Sequence, residues 1–174
     1  MKYLQKSIRI LLPKLIIFGL FLSACNPVTV TPKADATKDT YFPISIGPQL
    51  AYLQLALNDE ERSRGLMFRE KLKPHHGMLF IFETPRQQHF WMRNTEIALD
   101  VGYYDASGQL KEICKLYPYD ETSVSSHRDD IKFAIEMNQN WYEYNGIGID
   151  AQIDREALLE AISKRGIEPS LLRL

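Results

Sequence analysis

Alternation of apolar and polar side chains is the clearest pattern in the chain, and it predicts a series of strands. Across residues 51–57, Leu53, Leu55 and Leu57 face one way and Tyr52, Gln54 and Ala56 the other. Residues 131–138 repeat the pattern, with Ile131, Phe133, Ile135 and Met137 opposed to Lys132, Ala134, Glu136 and Asn138. The run from Met78 to Phe82 is apolar throughout, between Gly77 and Pro85, which predicts a strand covered on both faces. Residues 88–92 read as an aromatic strand in which Phe90 and Met92 point one way and His89 and Trp91 the other. Residues 97–104 and 109–116 flank Asp105, Ala106, Ser107 and Gly108, a turn-rich link that predicts a β-hairpin. On its second arm, alternation places Leu110, Cys114 and Leu116 on one face. Residues 146–153 are expected to form the last strand.

Helical signals occur twice. Asn58 is an N-cap followed by Asp59, Glu60 and Glu61, with Arg62 and Arg64 at the end and Gly65 as the stop. Asp154 caps a second run in which Ala157, Leu158, Ala161 and Ile162 share a face, and Gly166 ends it. Leu171, Leu172 and Leu174 form an apolar tail expected to pack on the domain. Many short strands with few helices predict a mainly β fold, a compact antiparallel β-sandwich or barrel with a short N-terminal and a C-terminal helix. The β-domain would span residues 41–153, followed by the helix and tail at 154–174.

The start of the chain follows different rules. Lys2, Lys6, Arg9 and Lys14 occur with no acid, and an apolar run of eight residues, Leu15 to Leu22, follows. A bilayer-spanning helix needs about 20 such residues, so the pattern is that of a secretory signal. The sequence Leu22, Ser23, Ala24, Cys25 resembles the lipobox of bacterial lipoproteins. That resemblance implies a signal peptide over residues 1–24, acylation of Cys25, and a membrane partner held through the lipid. Residues 26–40, rich in Thr, Pro, Lys, Ala and Asp without apolar periodicity, read as a tether. Without residues 1–24 the chain carries 17 basic and 22 acidic side chains, a formal charge of −5, so lipid rather than basic charge would hold it at a membrane. Asn26 is unlike an Asp retention signal, which implies the outer membrane, facing the periplasm. With Cys25 lipidated, Cys114 has no partner and reads as a small core residue.

The 174 residues, 45% hydrophobic and 25% charged, fit one globular domain, and a net charge of −1 gives no electrostatic ground for a nucleic-acid partner. His75, His76, His89 and His127 show no metal-ligand spacing, so neither metal nor cofactor is expected. The chain contains no phosphate-cradling Gly-rich loop, no Cys-x-x-Cys pair and no Gly-x-Ser-x-Gly elbow.

Three linked motifs carry a family resemblance. Arg64-Gly65-Leu66-Met67-Phe68-Arg69, Gly77-Met78-Leu79-Phe80-Ile81-Phe82 and Phe90-Trp91-Met92-Arg93-Asn94-Thr95, followed by Leu99-Asp100, resemble the uncharacterised domain-of-unknown-function family numbered 192. The resemblance spans roughly residues 50 to 153 and implies a compact, mainly β domain of a kind often secreted or lipid-anchored. It implies no reaction and no ligand. The chain departs from the family pattern at Ala98, where Pro is usual, at Asn138-Gln139-Asn140 after Ile135-Glu136, and at Asp150-Ala151.

Candidate site residues lie within these motifs. Trp91, Arg93, Asn94 and Thr95 combine an aromatic face, a cation, an amide and a hydroxyl, a mixture suited to a ligand-binding wall. The competing reading makes Asn94 and Thr95 turn formers. Asp100, flanked by Ala98 and Gly102 on its face, leaves room for an approaching group and is expected to pair with Arg64 or Arg93. Glu136 carries the same ambiguity, with structural pairing favoured. The leading expectation is a lipid-anchored envelope protein whose β-domain binds a small molecule, glycan or protein segment without catalysis. Its rivals are an envelope hydrolase using Asp100 or Glu136 with a nearby His, and an assembly factor acting through the C-terminal helix.

Overall fold

The computed structural model describes residues 36–174; Cys25, the signal segment and most of the tether lie outside the described residues. The elements, in order, are β1 (Phe42–Ile46), β2 (Gln49–Ala56), α1 (Asp59–Arg64), β3 (His76–Arg86), β4 (His89–Phe90), β5 (Leu99–Asp105), β6 (Leu110–Leu116), β7 (Val124–Ser125), β8 (Ile131–Asn138), α2 (Trp141–Tyr144), α3 (Arg155–Lys164) and a closing 3-10 turn (Pro169–Leu172). Six strands form one sheet in the order β1-β2-β3-β8-β5-β6, and β4 and β7 form a separate two-stranded ribbon.

The protein is mainly β, but the expected antiparallel sandwich or barrel gives way to one open, mixed sheet. The parallel pair β2–β3 is the cause. Parallel neighbours need a crossover connection, and the stretch from Leu57 to His75 supplies it, carrying α1 over one face of the sheet. The predicted last strand is a strap rather than a ladder member. Isolated bridges join Ile46 to Ile153 and Gln109 to Gln152, so the strap ties the edge strand β1 to the start of β6 and draws the two sheet edges together at one end. The aromatic strand is likewise reduced to His89–Phe90, paired with Val124–Ser125.

Both sheet faces are buried. Leu53, Leu55, Leu79, Ile81, Phe133, Ile135 and Met137 pack under α2, α3 and the 3-10 turn, which contribute Tyr142, Leu158, Ile162 and Leu172. Met78, Phe80, Ala134, Val101 and Tyr103 form the core of the opposite face with Phe90 of β4 and Leu66 and Met92 from the loops. A fully buried side chain of this size contributes roughly 1.5–3 kcal/mol, so the two-sided burial sustains the fold without a disulfide. Leu110 corrects the alternation reading. A register shift near Tyr103 and Tyr104 turns it to the helix-covered face, away from Cys114 and Leu116. Two glycines permit close approach: a Cβ on Gly77 would overlap the Glu136 carbonyl oxygen, and one on Gly102 would overlap the Tyr142 hydroxyl.

The tail packs as expected at Leu172, which is buried, whereas Leu171 is exposed. Lys132, itself buried, holds the tail by donating from Nζ to the Leu172 carbonyl at 2.6 Å and to the Glu83 carbonyl at 2.9 Å. Burial pulls its ammonium pKa down. Among the described residues no helix is long and apolar enough to cross a membrane.

Candidate functional site

The crossover that makes the sheet mixed also builds a cavity on the loop-covered face. Asn58 caps α1 through its side chain, accepting from the Glu61 amide at 2.9 Å, and the helix stops at Gly65 after a turn and a half. Arg62 fixes the helix to the sheet, donating to the carbonyls of Leu57 at 3.1 Å and Ile81 at 2.8 Å and pairing with Asp59 at 2.6 Å. Arg165, the C-cap of α3, also holds it, bonding Glu61 at 2.6 Å and the Leu55 carbonyl at 2.8 Å. Between α1, the ribbon and the sheet lies a cavity of about 370 Å³.

Its lining sorts by exposure. Leu66, Phe80, Gln88, Phe90, Thr95 and Glu136 are buried and form the floor and walls. Asp59, Ser63, Arg64, Arg86, His89 and Trp91 are exposed and form the mouth. Phe80 and Phe90 meet edge to face at 5.0 Å, and Phe90 meets Tyr103 at 5.8 Å, so the floor is an interlocked aromatic set. Glu136 is the only carboxylate in that floor. It stands on β8 between Met78 of β3 and Val101 of β5, and it is 5% exposed. Among the described residues none donates a hydrogen bond to its side chain, and burial alone pushes its carboxyl up to about 8. At neutral pH it is therefore a protonated acid facing open space, a donor rather than an anion. The structural pairing expected for Glu136 is absent among the described residues.

At the mouth, Arg64 and Arg86 have no ion-pair partner among the described residues, whereas Arg62 is committed to Asp59. His89 bonds the Ser125 hydroxyl at 2.7 Å across the ribbon. Trp91 is 46% exposed, and the Arg93 guanidinium lies 5.6 Å from its ring centre, a cation–π contact on the rim.

Of the residues singled out from sequence, Arg64, Trp91, Thr95 and Glu136 line this one cavity. Arg93 reaches it only by flanking Trp91. Asn94 is a turn residue with φ of 53°, whose carbonyl accepts from the Phe68 amide at 2.8 Å. The Thr95 hydroxyl is occupied by the Arg93 carbonyl at 3.1 Å. Asp100 lies on the helix-covered face, and its partner is neither Arg64 nor Arg93. The Asn140 amide donates to it at 2.7 Å, while its second oxygen is buried without a partner. Burial pushes its pKa up and the Asn140 amide opposes that rise. The room beside Gly102 is filled by Tyr142, whose hydroxyl bonds the Ile135 carbonyl at 2.9 Å. Arg86, Gln88 and His89 are not among the candidate site residues that the sequence offers. The one available signal was a carboxylate at position 136 within an otherwise buried strand. Among the described residues no cluster of three His, Cys, Asp or Glu side chains could hold a metal ion.

Comparison with known proteins places this architecture. A crystal structure of a Sinorhizobium meliloti 1021 protein, described provisionally as a transcription regulator, superimposes with a TM-score of 0.64 at 23% identity over 68% of this chain and 96% of that one. A protein of unknown function from Novosphingobium aromaticivorans DSM 12444 superimposes with a TM-score of 0.63 at 26% identity over 70% of this chain and 94% of that one. No curated protein matches the chain. The model of the family DUF192, described as "Uncharacterized ACR", matches residues 38–155. The chain belongs to the DUF192 family.

Proposed function

We propose that this is a lipid-anchored protein of the bacterial cell envelope, held at the outer membrane through Cys25 and facing the periplasm, whose β-domain binds a small molecule or the end of a glycan in the Glu136 cavity. The observation that carries the binding reading is Glu136 itself, a buried acid without a side-chain partner among the described residues, lining a hollow of about 370 Å³. A ligand oxygen in that hollow can accept the Glu136 proton. The surrounding aromatic floor and cationic mouth have the composition of a ligand site: mostly apolar walls with a few convergent polar groups. Anchoring rests on the lipobox and tether, with a net charge after residue 24 that disfavours adhesion by basic residues.

Native mass spectrometry of the full chain, extracted from its own membrane in mild detergent, tests both parts. The wild type is expected to carry diacyl mass on Cys25 and a non-covalent small-molecule adduct. Trp91→Ala and Glu136→Ala should lose the adduct while circular dichroism stays that of the folded chain. A wild type without adduct, or an adduct indifferent to both substitutions, contradicts the binding reading. An unmodified Cys25 in a chain that keeps its first residues contradicts the anchor.

A further inference from the structure

The proposed site carries information about what it would bind. We infer that the ligand of the Glu136 cavity is a monocarboxylate on a flat apolar body with a second, hydrogen-bond-accepting oxygen at its far end. This rests on the reading of the cavity as a ligand site and adds the chemistry of the occupant.

Three observations set that chemistry. First, the free charge at the mouth is positive. Arg64 and Arg86 are exposed without ion-pair partners among the described residues, while the Asp59 carboxylate is paired with Arg62. The fork of a guanidinium matches the two oxygens of a carboxylate. Second, α1 borders the cavity from Asp59 at its start to Arg64 at its end, which places the Asp59 carboxylate at the mouth beside the arginines. That carboxylate repels a dianion such as a phosphate monoester more than a single negative charge. Third, the floor ends in an acid that holds its proton. Phe80 and Phe90 beside it are apolar, so Glu136 offers an O–H to an acceptor such as a carbonyl, ether or hydroxyl oxygen. A ligand ammonium at this point would have to be desolvated, would ionise Glu136, and would sit in the field of Arg62, Arg64 and Arg86, a buried pair that does not repay its desolvation. Between mouth and floor, Trp91 and the Phe80–Phe90 pair line the cavity and offer aromatic surface to a flat body.

The groups that face Glu136 set the expected pH dependence. From α1 these are Asp59, Arg62 and Arg64; from β3, Arg86; from β4, His89; and from β5, Tyr103, whose hydroxyl is engaged with the Val124 carbonyl at 3.1 Å. Burial pushes the Glu136 carboxyl up to about 8, so loss of affinity across that value reports its proton.

The test uses 6-acetyl-2-naphthoate and its cationic counterpart, 6-acetyl-2-(aminomethyl)naphthalene, in equilibrium dialysis against the full chain in detergent. At about pH 6.5 the carboxylate should bind at least about tenfold more tightly than the amine, a difference set by the mouth charge. Its affinity should fall by about tenfold per pH unit above pH 8 in the wild type, as the Glu136 proton is lost. Glu136→Gln, which still donates from its amide, should bind the carboxylate with no such pH dependence. Arg64→Ala with Arg86→Ala should weaken the carboxylate and leave the amine unchanged or improved. Preference for the amine, or affinity that rises with pH, overturns the inference and leaves the cavity as a ligand site for a cation. If neither probe binds, the inference falls; the reading of the cavity falls with it only if the membrane-extracted chain also carries no adduct.

Discussion

Glu136 pairs with Val101 across β8 and β5, so Asp100, the residue before Val101, faces the opposite side of the sheet. The two carboxylates that the sequence offers for acid–base chemistry therefore never share a site. Asp100 belongs to the packing of α2, where the Asn140 amide holds it, and Glu136 belongs to the cavity under α1. A mechanism needing both acids on one substrate is excluded by that parity.

The pH dependence of stability follows from the same residue. The Glu136 carboxyl sits at about 8 in the folded protein against an ordinary value of 4.5. Between these values the folded chain keeps a proton that the unfolded chain has released. Its contribution is fully present below about pH 4.5, falls as pH rises toward 8, and is flat beyond that. Unfolding free energies from urea titrations at about pH 4 to 9 should decline across this window by a total of a few kcal/mol, and Glu136→Gln should remove most of the slope. A wild type and a variant with parallel profiles would show that Glu136 is solvated.

Gly102 tests how α2 is seated. An added methyl would strike the Tyr142 ring, with Cζ 2.7 Å from the new Cβ, and Tyr142 is held in place by Ile135 and Tyr104. Gly102→Ala should destabilise by about 1–3 kcal/mol in urea unfolding. Combination with Tyr142→Phe, which removes the clashing hydroxyl, should recover part of the loss as a coupling in the double-mutant cycle.

Arg165 and Glu61 link α3 to the helix that borders the cavity. Both are largely buried, at 8% and 14% exposure, and Glu61 also accepts from the Leu57 amide at 2.8 Å. Because that amide and residual solvent still serve Glu61, Arg165→Met should cost about 2 kcal/mol rather than the full cost of an orphaned buried charge. Amide exchange should quicken in α1 before it does in β3 or β8. Lys132→Met should act on the C-terminal tail, costing about 1–3 kcal/mol by leaving the Leu172 and Glu83 carbonyls without their donor. It should speed exchange in the closing 3-10 turn.

Much of the sheet was legible because period-two patterns survive wherever a strand is regular. Leu53, Leu55 and Leu57 share a core as read, and so do Phe133, Ile135 and Met137. The β-hairpin was legible for a local reason: the Asp105 carboxylate accepts from Ser107 and Gln109 and so closes the turn from within it. Leu110 was misread because a bulge costs one residue of register and leaves no composition mark. The sheet order was hidden for a non-local reason. Whether β2 meets β3 in parallel depends on where the crossover from Leu57 to His75 packs, and α1 is too short to announce a crossover helix. The strand β1, with Pro43 in its five residues, and α2, with only four, were too brief to rise above their surroundings.

The site was legible by residue type and not by assembly. Arg64, Trp91 and Thr95 stood out inside motifs, yet nothing local joins them to Glu136, which arrives from a strand 41 positions after Thr95. Gln88 and His89 fell within a segment read as an ordinary aromatic strand, and Arg86 stood just before it. Asn94 and Asp100 looked equally suited to binding, and both are used by the architecture instead.

The most direct test of the account is the titration of the Glu136 side-chain carboxyl by 13C NMR, assigned by comparison with Glu136→Gln, in the free chain and with saturating 6-acetyl-2-naphthoate. The account predicts a midpoint near 8 in the free chain, moving higher when the ligand's oxygen accepts the proton. A midpoint in the ordinary carboxylate range, or one that the ligand leaves unmoved, would contradict it.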